Sequence, residues 1–178
     1  LRRRAAQLGR WASPERGRRM SIPKWWLGCL LAVVWMGSAA AQTIWPDIMP
    51  NLRVGLSLSP VAVVLPHATV EQPAPAVPPE KARWSGRWAG YACKGQVCDT
   101  QLIVETVTTD GATIIYAFAS ADVKPYSIRV GARFVDDELQ ATLPDGSKVA
   151  YRMREVGDVE FLYRMEPRWA AGLLSKVK

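Results

Sequence analysis

The amino-acid sequence predicts an all-β fold: an antiparallel meander of seven or eight short strands, closed or nearly closed into a small barrel. Three observations predict it. Apolar residues recur at every second position in run after run from Trp84 onward. Residues tolerant of positive φ fall between those runs, and no stretch between Trp84 and Arg168 carries a helical period. Such alternation belongs to antiparallel strands with one buried face.

Taken in order, Trp84, Gly86, Trp88 and Gly90 share one face of the first run, with Ser85, Arg87 and Tyr91 on the other. Leu102 and Val104 alternate with Ile103 and Glu105, so the second run is apolar on both sides in part. Ile114, Tyr116 and Phe118 follow on one face. Tyr126, Ile128, Val130, Ala132 and Phe134 then interleave with Ser127, Arg129, Gly131 and Arg133, the clearest alternation in the chain. Leu139, Ala141 and Leu143 continue it, as do Val149, Tyr151 and Met153 against Lys148, Arg152 and Arg154, and Val159, Phe161 and Tyr163 against Glu160 and Arg164. The last segment, Trp169–Val177, reads as a strand or a short helix. Asp110-Gly111, Asp136-Asp137, Asp145-Gly146 and Gly157-Asp158 supply the turns, and Pro125 and Pro167 stand between strands. Closing such a sheet removes its edges, and inward residues as large as Trp88, Tyr116 and Phe134 predict a largely filled interior.

Upstream the composition changes twice. Met20–Ala41 runs from a positive start through an apolar core, Trp25–Gly37, to the small residues Ala39-Ala40-Ala41. That is the order of a secretory signal peptide, with cleavage expected near Ala41-Gln42. An uncleaved inner-membrane anchor over residues 25–41 is the alternative; extended to Ala41, the apolar segment is 17 residues against roughly 20 for a spanning helix. Residues 1–19 read as an over-extended or mis-assigned start, with Arg18-Arg19 as a weak twin-arginine signal. Residues 42–83 hold eight of the 13 prolines and read as a largely disordered, polyproline-type linker. Val61–Leu65 is its one apolar run. The domain proper is residues 84–178.

The export signal changes how the bulk numbers are read. The chain carries +7, but eight of its 23 Lys/Arg and one of its 16 Asp/Glu lie in residues 1–41. Fifteen of each remain in residues 42–178, so the basicity belongs to the targeting segment and nucleic-acid binding is not expected. Cys29 lies within the signal, leaving Cys93 and Cys98. In an exported protein this C-x4-C pair reads as a disulfide across a hairpin loop rather than a metal or redox site.

The domain opens with Gly86-Arg87-Trp88, which resembles the G-x-W motif of the lipocalin and calycin barrels. The resemblance implies that Trp88 closes one barrel end beneath an arginine near the C-terminus, a part for Arg164 or Arg168. Asp110–Tyr116 (DGATIIY) and the Leu143–Gly146 turn (LPDG) before Tyr151-Arg152 are similar to small extracytoplasmic β-domains of bacteria, which implies a fold rather than an activity. Tyr91-Ala92-Cys93 resembles the Tyr-x-Cys start of periplasmic lysozyme-inhibitor barrels.

Chemistry is sparse. Residues 84–178 contain no histidine to serve as a base and no G-x-S-x-G elbow. Asp136-Asp137-Glu138 fits a solvated turn better than a carboxylate pair or a Ca²⁺ loop. Trp84 reads equally as core or as part of a stacking platform, and Trp88 reads as core. Arg129, Arg133, Arg152 and Arg154 on outward faces are candidates for a basic patch toward an anionic glycan or partner. Against that stand ordinary solvated faces, with Glu138, Glu155 and Glu160 as counter-charges. The expectation is therefore a monomeric, non-catalytic, cofactor-free and metal-free binding domain of the bacterial periplasm or cell envelope, with a protein or glycan partner. The alternatives are a protein-inhibitor module of an envelope or host hydrolase, and a carrier of a small apolar ligand. No stable membrane insertion is expected after cleavage.

Overall fold

Every alternating run forms a strand. A computed structural model describes Trp45, residues 58–92 and residues 98–178. The expected start region 1–19, the export signal 20–41 and Cys93 lie outside the described residues. Among the described residues the strands are β1 (Gly86–Tyr91), β2 (Cys98–Val107), β3 (Gly111–Ser120), β4 (Tyr126–Val135), β5 (Glu138–Thr142), β6 (Lys148–Met153), β7 (Val159–Met165) and β8 (Arg168–Lys176), preceded by the short helix α1 (Pro79–Ala82). Each strand pairs antiparallel with the next, and β8 pairs back onto β1 from Trp88–Lys176 to Tyr91–Leu173, closing the barrel. The last segment, left open between strand and helix, is a strand. Its Gly172 permits the closure: a Cβ there would lie 1.6 Å from the Tyr91 carbonyl oxygen.

The turns use the residues expected of them. Asp136, Gly146 and Gly157 adopt φ of 53°, 84° and 93°, the left-handed region that tight turns demand. Thr108 Oγ1 accepts from the amides of Asp110 and Gly111 in the β2–β3 turn, and Asp145 accepts from the Ser147 amide and hydroxyl in the β5–β6 turn.

Alternation puts Trp88, Leu102, Val104, Ile114, Tyr116, Leu139, Val149, Tyr151, Phe161 and Leu174 in one buried interior. Aromatic rings run through it in contact. Tyr116 stacks on Phe161 at 5.5 Å and on Tyr163 at 6.5 Å, and Tyr151 meets Phe161 at 5.3 Å. Large side chains of the protein itself line this interior among the described residues.

One irregularity breaks the period. The β2–β3 register shifts between Val104 and Thr106, so Glu105 is an extra residue in β2 and Val107, paired with Ala112, returns to the core. A bulge re-aims side chains at such a point. Here Glu105 keeps the outer wall that its parity gives it, 7% exposed, and the side chains after it are the ones re-aimed.

Over residues 58–83 the structure differs from the disordered linker expected. The Val63 amide donates to Asp99, the Glu71 amide to the Glu105 carbonyl, and the Arg87 and Arg129 guanidiniums to the carbonyls of Ala68 and His67. The chain thus runs along the outer wall of β2 in the direction of that strand. Proline forbids helix and central strand but leaves an extended chain whose remaining carbonyls and amides bond readily outward. Within VAVVL, Val61, Val63 and Leu65 are half-buried while Val64 is 66% exposed, the period-two burial of a chain lying on a surface. Beneath the same wall Ile103, Ile115 and Ala117, which face away from the barrel interior, are fully covered. Farther on, α1 starts with proline at its first turn, and Val77 packs against the core at the barrel end where β1 begins.

Candidate functional site

The closed end contains the motif residues. Gly86 adopts φ +133°, and a Cβ on it would meet the Lys176 side chain at 2.8 Å. Glycine therefore both permits the turn into β1 and leaves room for Lys176, whose ammonium sits 5.1 Å above the Trp88 ring and donates to the Arg83 carbonyl. Trp88 is 2% exposed and donates from its indole to the Trp84 carbonyl at 3.1 Å. The cation over the tryptophan is thus Lys176 rather than Arg164 or Arg168. β7 carries Arg164 on the outer face, and Arg168 is exposed at the start of β8. Lys176 is brought there by strand closure, as the direct partner of Trp88. Trp84, 3% exposed, packs against Phe134 at 6.2 Å and is a plug of this end, not a stacking platform.

The expected arginine patch divides. Arg129 holds Glu105 through two bonds of 2.6 and 3.0 Å. The guanidinium keeps that carboxyl below its ordinary value despite the opposing cost of burial. Arg152 holds Glu160 at 2.6–2.8 Å, with Arg154 at 3.9 Å from the same carboxylate. Arg152 also lies 4.5 Å from the Trp45 ring centre, whose indole donates to Glu138. These three arginines fasten the outer wall and do not form one open patch. Their counter-charges are Glu105 and Glu160, and of the carboxylates expected there only Glu160 is among them.

Arg133 is different. It lines a groove of about 550 Å³ on the outer wall across β4 to β7, together with Gly131, Gln140, Thr142, Lys148 and Arg164. Three cations and no carboxylate line it among the described residues. The groove lies where the barrel wall forks. β4 pairs with β3 over eight positions, Tyr126–Arg133, but with β5 over only three, Arg133–Val135. Toward the opposite end, the mouth, residues 126–132 of β4 thus have a strand on one side only among the described residues. Ile128 and Val130, on the inward face of this stretch, are accordingly half-buried, and Tyr126 is 37% exposed.

At the mouth the rings of Tyr116 and Tyr126 meet edge to face at 5.8 Å, and burial pushes Tyr116 well above the ordinary tyrosine value. Burial does the same to Tyr151, whose hydroxyl, like Thr100 Oγ1, is buried with no hydrogen-bond partner among the described residues. Cys98 opens β2, 3% exposed. No group of three His, Cys, Asp or Glu among the described residues is placed to hold a metal ion.

No family model, no curated protein and no solved structure matches this chain.

Lys148 and the side of β4 that no described strand covers lie outside the site residues that the sequence singles out. Lys148 carries a signal, since its parity puts it on the outer face beside Arg152. The fork carries none, because strand pairing length is not written in the alternation of either strand.

Proposed function

We propose that the protein is a non-catalytic binding domain of the bacterial periplasm or cell envelope, a lipocalin-like barrel that engages its partner with the outer wall. One observation carries this reading: the interior is occupied by Trp88, Tyr116, Tyr151 and Phe161, while concave cationic surface lies outside at the β4–β5 fork. A pocket for a small apolar ligand is ordinarily about 300 Å³ or more, lined by apolar side chains and convergent polar groups. The location rests on Met20–Ala41 and on Cys93 and Cys98 as a disulfide pair, both read from sequence.

The test is affinity capture from envelope extract with the purified full chain, run beside an Arg133→Glu/Lys148→Glu variant and beside titration with an apolar fluorophore. Retention of envelope material that the variant loses, with no fluorophore uptake, is the expected result. Fluorophore binding that Leu102→Trp abolishes would overturn the reading in favour of a carrier.

A protein-inhibitor module is the second reading. Val123, Tyr126 and Met165 are exposed at 37–42% around the mouth, and such side chains suit insertion into a partner's cleft. Loss of capture on substituting these three, with Arg133 and Lys148 intact, would favour it.

A further inference from the structure

Resting on the binding reading above, we propose that the β4–β5 fork takes an extended peptide whose residues alternate apolar and acidic, added as a strand along the free side of β4. The backbone makes the first part of the case. Residues 126–132 pair with β3 but not with β5 among the described residues. A run of amides and carbonyls paired on one side only is a template for another strand. Its length, seven residues at about 3.3 Å each, spans roughly 23 Å, room for a peptide strand of ordinary length.

The side chains specify the partner. A strand added beside β4 continues the pleat, so its residues point alternately inward and outward. On the inward side it would meet Ile128, Val130 and the exposed part of Tyr126, which are less covered than the core positions of the other strands. Apolar residues gain there by completing the cover. On the outward side it would run toward the groove that Arg133 and Lys148 line with no carboxylate among the described residues. Acidic residues are favoured there and basic ones repelled. Gly131 leaves the outer face open, since a Cβ on it would meet nothing within 4 Å. The inner end of the added strand is set at Arg133, where pairing with Gln140 begins.

A capped, labelled octapeptide of alternating valine and glutamate is the probe, titrated into the full chain by fluorescence anisotropy with amide hydrogen exchange in parallel. Binding is expected to slow exchange across residues 126–132 about tenfold or more. A peptide of the same sequence, N-methylated at alternate residues, keeps the charge but cannot complete the ladder and should not bind. A valine–lysine octapeptide should not bind either. Arg133→Glu/Lys148→Glu, both at exposed positions, should lower affinity about tenfold, and Arg133→Gln/Lys148→Gln by less.

No binding, equal binding of the N-methylated peptide, or protection confined to other strands would overturn the proposal. Binding of polygalacturonate or phosphatidylglycerol vesicles at Arg133 and Lys148, with the peptide ignored, would overturn it in favour of an anionic polymer or surface. If the peptide fails while the wild-type chain still captures envelope material, this inference falls and the binding reading stands. If capture fails as well, both fall.

Discussion

Arg129 reaches across β3 to hold Glu105, donating from Nε at 2.6 Å and from Nη2 at 3.0 Å, and its Nη2 also donates to the His67 carbonyl at 2.9 Å. The Glu105 carbonyl in turn accepts from the Glu71 amide at 2.8 Å. A single bulged residue thus joins β2, β4 and the extended chain on the outer wall.

That node has an acid signature. Arg129 holds the Glu105 carboxyl below 4.5, so the folded state keeps the charge to lower pH than the unfolded chain does. The contribution is complete above about pH 5 and is lost as pH falls through the lowered folded value. Glu105→Gln should cost about 1–2 kcal/mol at neutral pH and flatten stability below pH 5, read by urea unfolding. It should also speed exchange of the Glu71 amide. An unchanged acid slope would show that the pair carries no linkage.

Alkali should act through the phenols. Tyr116 and Tyr151 are held well above 10.0 by burial, so the unfolded chain ionises first and stability falls as pH rises beyond about 10. Phenolate absorbance from these two should emerge only with unfolding. Titration of all tyrosines in a still-folded chain would contradict their burial.

Tyr151 offers a sharper test. Its hydroxyl is buried without a hydrogen-bond partner among the described residues, so Tyr151→Phe should leave stability unchanged or raise it by about 1 kcal/mol. A loss of that size would mean the hydroxyl is hydrogen-bonded inside the barrel.

Glycine positions separate closure from groove. Gly172→Ala drives a Cβ to 1.6 Å from the Tyr91 carbonyl oxygen and 2.6 Å from the Ala92 Cα, and should cost more than about 4 kcal/mol or prevent folding. Gly131→Ala meets nothing within 4 Å and should change stability by no more than about 0.5 kcal/mol. Similar effects at both would refute the β1–β8 closure.

Much of this architecture was legible in the chain. Ile128, Val130, Ala132 and Phe134 alternate because one face of β4 is buried, and Asp145-Gly146 stands where left-handed turn geometry is needed. The rest depends on partners far apart in sequence. Glu105 looks like one more outward position until the register with β3 shows an extra residue. Residues 58–78 have the composition of a tether, yet Val63, Ala68 and Glu71 find backbone and side-chain partners that no local pattern announces. Trp84 shares a parity with Trp88 but precedes the strand, and the left-handed Gly86 lies between them. The arginines could be put on outer faces by period, whereas their division into paired Arg129, Arg152 and Arg154 and groove-lining Arg133 follows from which strands adjoin.

The claim that the barrel binds on its outer wall and not in its interior is tested most directly by two-dimensional NMR of the full chain titrated with the valine–glutamate octapeptide. Shifts confined to residues 126–133, Thr142 and Lys148, with Leu102, Tyr151 and Phe161 unmoved, are the predicted result. Shifts centred on those three interior residues would contradict it.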